Sequence, residues 1–229
     1  MQTKLKFRTH GGARKGAGRK PKGPSAGQPH ARRPRLRASQ PVHVTLRVAR
    51  DIRQLRTLDL YRAIRRATQV VARRVDFRIV HLSIQHDHVH LIAEADGRLE
   101  LSRGVRAFEI SAARQINRVL APRTGSVFPD RYHARILNSP NSTRRAICYV
   151  VNNWLKHRED TAPLLRYFEI DPFSSAISFT GWRELARRST LWRPPPSYEP
   201  LCVQRPRSWL LATGWQRSGT ISTRDIPSS

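Results

Sequence analysis

From Pro41 onward, apolar and polar residues alternate in PVHVTLRV, so that Val42, Val44, Leu46 and Val48 share one face and His43, Thr45 and Arg47 the other. A period of two predicts a strand with one face buried. Asp51 is placed to cap the helix that follows, whose Leu60, Ile64, Ala67 and Val71 form one stripe. Strands are predicted over roughly 77–84 and 88–94, and a second helix over about 101–120 with Leu101, Val105, Phe108, Ala112, Ile116 and Val119 at helical spacing. DRYHARIL, residues 130–137, alternates again. The order β-α-β-β-α-β predicts an α+β, ferredoxin-like sheet with both helices on one face. A third helix, about 142–157, follows it, with Ile147, Val150, Val151, Trp154 and Leu155 as its core stripe.

Two sets of polar residues are left over by this pattern. On the strand at 88–94, Val89 and Leu91 turn toward the helices, so His88 and His90 point outward together from the opposite face. Neutral imidazoles are good ligands for Mn, Zn and similar ions, but a pair of them does not fill a coordination sphere and does not by itself specify a metal. His86, beyond Asp87, falls at the strand edge in a supporting role at most. On the third helix Tyr149 and Asn153 are neighbours four residues apart, on a face roughly opposite the centre of the apolar stripe, with Arg145 and His157 flanking them. Packing does not explain a tyrosine there.

Charge narrows the partner. The 229 residues suit one domain with extensions, and 43 Lys and Arg against 16 Asp and Glu give a net charge of +27. Such a balance favours a polyanion, nucleic acid ahead of a membrane surface, because basic side chains displace counterions from phosphates. Residues 1–40 hold twelve Lys or Arg and no acid, and read as a flexible basic arm in which Arg14, Arg19 and Lys20 are candidate DNA contacts. The glycines there lack the GK[ST] of a phosphate loop and follow no strand, so no nucleotide is expected. Cys148 and Cys202 are too few for a disulfide framework and lack zinc spacing, so both read as reduced thiols. The start carries no apolar leader and no apolar run is long enough to span a bilayer, so the expected location is a bacterial cytoplasm, associated with the nucleoid, with no membrane partner.

Over residues 41–160 the chain resembles the single-tyrosine HUH transposases, especially the REP-associated tyrosine transposases of bacteria. The resemblance rests on HVTLR in the first strand, HVHLI as the His-hydrophobe-His motif, and VFPDRYHARIL before the tyrosine helix YVVNN. It implies that His88 and His90 hold a divalent metal, Mg or Mn, and that Asn153, four residues after the tyrosine, supplies a further polar ligand. It also implies that Tyr149 attacks a phosphodiester in single-stranded or hairpin DNA, leaving a 5′-phosphotyrosine and a free 3′-hydroxyl. The family includes monomers and dimers that share tyrosine helices, so a homodimer is open to this chain. Members often carry proline after the asparagine. Here Trp154 follows instead, so the helix is expected to run on to His157, and Asn152, on a different face, stays an alternative to Asn153 as ligand.

Arg131, His133 and Arg135 alternate onto one face of the last strand, where with Arg145 they are candidates to grip phosphates or form a solvated face. Residues 161–229 form an extension in which Trp182, Trp192, Trp209 and Trp215 either stack on unpaired bases or cap the core. Two other functions fit parts of the pattern. A domesticated relative would bind hairpin DNA or RNA without cutting, but would have no need of His88, His90 and Tyr149 together. A water-using metal nuclease would need a carboxylate cluster that the sequence near the histidines lacks.

Overall fold

Four strands, β1 (Val42–Arg47), β2 (Phe77–Ile84), β3 (His88–Ala95) and β4 (His133–Ile136), form one antiparallel sheet in the order β2-β3-β1-β4. With α1 (Leu58–Val71) and α2 (Arg98–Val119) as crossovers, this is the ferredoxin-like α+β arrangement that the element order predicts. The computed structural model describes residues 34–227 except 53 and 162–166, so Arg14, Arg19, Lys20 and most of the basic arm lie outside the described residues. Among the described residues no helix is long and apolar enough to cross a membrane.

Alternation along the strands decides which face each helix covers. Val42, Val44 and Leu46 of β1 and Val89 and Leu91 of β3 pack under Leu60, Ile64 and Ala67 of α1 and Val105, Phe108 and Ala112 of α2. Each fully buried aliphatic or phenyl side chain there contributes about 1.5–3 kcal/mol. A Cβ at Gly104 would run into the Phe77 ring, so α2 needs glycine where it approaches β2 most closely. The N-cap of α1 corrects the sequence reading. Thr57 Oγ1 accepts from the Leu60 N–H at 3.4 Å, whereas Asp51 lies farther upstream and pairs with Arg123 at 2.7 Å. Between them, Ile52 and Leu55 drop into the core and delay the helix.

The third helix, α3 (Pro140–Lys156), lies across the opposite face of the sheet. Ser139 and Ser142 form a reciprocal capping box and Pro140 occupies the first turn, where its missing N–H costs nothing. Ile147, Val150 and Val151 pack on Val80 and Ile92, and the helix stops with His157 as its C-cap. The segment from residue 167 onward wraps the far side of α3. Trp182 and Trp215 are buried in this second core, Trp192 packs on Phe168 and Tyr198, and Trp209 is half exposed beneath the Arg217 guanidinium. Capping the core is therefore what most of these tryptophans do. A buried ion pair, Arg56 to Asp171 at 2.8 and 3.1 Å, ties this segment to the stretch before α1, and Arg56 also donates to the Ile84 carbonyl at 2.8 Å.

Candidate active site

Antiparallel pairing of β1 with β3 sets Thr45 opposite His90 and His43 opposite Ile92, so the polar residues of both strands emerge on the α3 face. His90 Nδ1 lies 3.1 Å from His43 Nε2 and 3.1 Å from Thr45 Oγ1. The neighbouring His88 donates from Nδ1 to Asp87 Oδ1 at 2.6 Å. The two imidazoles of the His-x-His pair meet edge to face with centroids 4.6 Å apart. With Nδ1 of each ring engaged, Nε2 is the nitrogen left for chemistry, and in His90 that atom is buried with no hydrogen-bond partner among the described residues.

Above them α3 brings down Tyr149, whose ring sits 5.0 Å from that of His90 and 5.6 Å from that of His43. Lys156 Nζ lies 5.2 Å over the Tyr149 ring, and the His157 ring is 5.9 Å from that of His88. Asn153 is fully buried one turn from Tyr149, with its amide beside the phenol and its Oδ1 without a hydrogen-bond partner. This corrects two expectations. The imidazoles do not face outward, since α3 covers them and His90 is only 4 % exposed. Nor do Tyr149 and Asn153 look away from the core: they press against the histidine face of the sheet. The cause is that α3 is enclosed on both sides. Its other flank holds the chain end, where Asn152 Nδ2 donates to the Ser222 and Asp225 carbonyls at 2.8 and 3.0 Å. Asn152 is thereby spent on structure, which leaves Asn153 as the amide facing the site.

Burial sets the electrostatics. Desolvation, with repulsion from His133 and Arg135, pushes His43 down to about 4, and desolvation with repulsion from His43 and His88 pushes His90 down to about 2. Both rings are neutral at physiological pH, the form that binds metal. Burial raises the Tyr149 phenol above its ordinary value, and the adjacent Asn153 side chain works against that rise. Among the described residues no three His, Cys, Asp or Glu side chains gather as a metal-ligand set. The available donors are two imidazoles and the amide oxygen of Asn153.

The predicted phosphate contacts flank this centre. His133 and Arg135 pair with Thr45 and His43 across β1–β4 and so share the site's face of the sheet, exposed at the edge strand. Arg131 is exposed just before that strand, and Arg145 is exposed on α3. His86 is exposed in the β2–β3 turn, where its carbonyl accepts from the Leu55 N–H, and it takes no part in the site. His43, Thr45, Asp87 and Lys156 were not singled out from sequence. The polar half of HVTLR was the available signal for the first two, but which strand it would face depends on register.

Comparison with known proteins bears on the family and the fold. The family model described as "Transposase IS200 like" matches residues 39–153, from β1 through Asn153. A solved REP-associated tyrosine transposase bound to a REP hairpin shares the fold, with a TM-score of 0.52 and 19 % identity over 79 % of this chain and 100 % of that one. A putative transposase from Deinococcus radiodurans matches at a TM-score of 0.38 and 15 % identity, over 57 % of this chain and 96 % of that one. No curated protein matches the chain. The family match takes in half of the chain, including both the His-x-His strand and the tyrosine helix: the chain belongs to the IS200-like transposase family.

Proposed function

We propose that this protein is a single-tyrosine transposase of the REP-associated kind, which cuts and rejoins single-stranded DNA at hairpin-associated sites through Tyr149. The observation that carries the reading is the Tyr149 phenol set over His90, whose buried Nε2 has no partner. Tyr149 Oη bonds to phosphorus as the bond to the 3′ oxygen of the preceding nucleotide breaks. The phenol gives up its proton, the departing oxygen gains one, and the products are a 5′-phosphotyrosine and a 3′-hydroxyl. A phenolate leaves more readily than an alkoxide, so a second 3′-hydroxyl can reverse the step without ATP.

His88, His90 and Asn153 are the residues that would hold a divalent cation, and the unpartnered Nε2 and amide oxygen fit that use. Such a cation, Mg or Mn, supplies Lewis acidity toward a nonbridging phosphate oxygen. The chain's own groups do the rest. Lys156 places a positive charge beside the developing phenolate, and Asn153 favours the ionised phenol that burial disfavours. Arg131, His133, Arg135 and Arg145 line the approach as phosphate contacts, and Arg14, Arg19 and Lys20 in the basic arm add sequence-independent affinity. In this division residues 41–160 carry the chemistry, 1–40 the nonspecific contacts, and 161–229 the support of α3. A hairpin partner is inferred because the solved transposase of the same fold is bound to one. A bacterial nucleoid is where such a substrate lies.

The test mixes the protein with single-stranded oligonucleotides from inverted repeats flanking its gene, with Mg or Mn, and runs a denaturing gel. A slower band that survives denaturation is expected from wild type and absent from Tyr149→Phe. Cleavage without an adduct points to a water-using nuclease, and tight hairpin binding without cleavage to a domesticated binder.

A further inference from the structure

We infer that His43 and Thr45 are positioning residues for His90, jointly accepting the hydrogen on its Nδ1 and so leaving its Nε2 as a bare lone pair facing the site. The inference rests on the cation reading of His88 and His90 for its use, but the proton assignment stands on geometry.

An imidazole Nδ1 carries either one in-plane hydrogen or one in-plane lone pair. His90 Nδ1 has two neighbours at the same 3.1 Å, Thr45 Oγ1 and His43 Nε2. A single lone pair points at one donor at a time, so a hydrogen from one neighbour leaves the other without a full bond. A single hydrogen can be shared by both acceptors in a three-centre bond, slightly longer than the usual N–H···O spacing on each side. The second arrangement satisfies all three atoms. It sets the His43 proton on its own Nδ1 and clears Nε2 of His90, the atom that is buried and has no partner. His88 reaches the same state by another route, donating to the Asp87 carboxylate. The half-exposed Asp87 orients one ring with a charge, and the half-buried His43 and Thr45 orient the other without one, since an ionised carboxylate beside the buried His90 would itself have to be desolvated. Residue register makes this possible: Thr45 stands directly across the sheet from His90, and His43 one residue pair further along on the same face.

The full chain, labelled with ¹⁵N-histidine and free of metal, reports the tautomer directly in long-range ¹⁵N–¹H correlation spectra. His90→Asn identifies the His90 signals. The expected result is Nδ1–H for His90, and a hydrogen on Nε2 would overturn the inference. In Thr45→Val, which keeps shape and loses the hydroxyl, and in Thr45→Val with His43→Leu, the Nε2–H form should grow. Mn²⁺ affinity, read from the electron paramagnetic resonance of the free ion, should fall roughly 10- to 100-fold in the double variant. Thr45→Ser should restore the wild-type tautomer. Unchanged tautomer and Mn²⁺ affinity in the double variant would likewise overturn the inference. A wild type that shows the expected tautomer but binds no Mn²⁺ overturns the cation reading instead, and the two failures are told apart in one preparation.

Discussion

Both faces of this sheet are covered, but one is packed with apolar side chains throughout and the other sets a polar cluster beside its apolar core. On β3, Leu91 is fully buried toward α1 and α2, and its neighbour His90 is 4 % exposed toward α3. The first face packs on apolar side chains of α1 and α2. The second sets His43, Thr45 and His90 against Tyr149 and Asn153, with His81 and Ser83 further along the sheet. Buried polar groups in folded proteins are normally hydrogen-bonded, and each exception calls for a reason. Here His90 Nε2 and Asn153 Oδ1 are such exceptions, beside one phenol. The helix layer stabilises the fold. The α3 layer gives up stability to keep these polar atoms beside the phenol.

If that contrast is right, neighbours on one strand should fail in different ways. His90→Ala is expected to lower oligonucleotide cleavage on the order of a thousandfold, as losses at groups acting in the reaction do, with the melting temperature little changed and DNA binding retained. Leu91→Ala should instead cost about 2–5 kcal/mol in urea unfolding and spare cleavage per folded molecule. Equal loss of stability in the two variants would erase the distinction.

Acid should weaken the α3 face selectively. His81 is buried against Phe179 on that face, and desolvation lowers its pKa from 6.5 to about 4. Between those values the unfolded chain binds the proton and the folded chain does not, so stability falls as pH drops from 6.5 and levels off below 4. His81 alone accounts for about 3 kcal/mol of that fall, at 1.36 kcal/mol per pKa unit. His81→Leu should flatten the dependence of urea stability on pH by this amount, and an unchanged slope would place the acid sensitivity elsewhere.

Adjacent asparagines sharpen the comparison further. Asn152→Ala removes the bonds that hold Ser222 and Asp225 and should cost about 1–3 kcal/mol of stability. Asn153→Ala deletes a buried amide whose side chain acts only on the Tyr149 phenol, so stability should change little while cleavage drops. The smallest effect is expected at the edge strand. Arg135→Ala should reduce the slope of log K against log salt by about 0.7–0.9 and leave cleavage at saturating DNA unchanged.

Much of the first face was legible in the sequence because alternation in β1 and β3 and the helical stripes of α1 and α2 follow from local periodicity. The second face was legible only in part. His88, His90, Tyr149 and Asn153 stood out as polar residues that packing did not explain. Their burial did not, because α3 is covered on its second side by a C-terminal segment with little periodicity of its own, so the residues opposite its apolar stripe read as a solvent face. His43 and Thr45 come to His90 through strand register, a long-range choice that a single strand does not encode. Asp51 looked like a cap for want of any local sign that Ile52 and Leu55 would turn inward first.

The claim that α3 delivers a nucleophile to the histidine face is tested most directly by locating the covalent bond. After reaction with a single-stranded substrate, nuclease trimming and proteolysis, mass spectrometry should find the 5′-phosphonucleotide on the peptide bearing Tyr149 and on no other. The same mass on the peptide bearing Tyr132, or cleaved DNA with no modified peptide, would contradict the account.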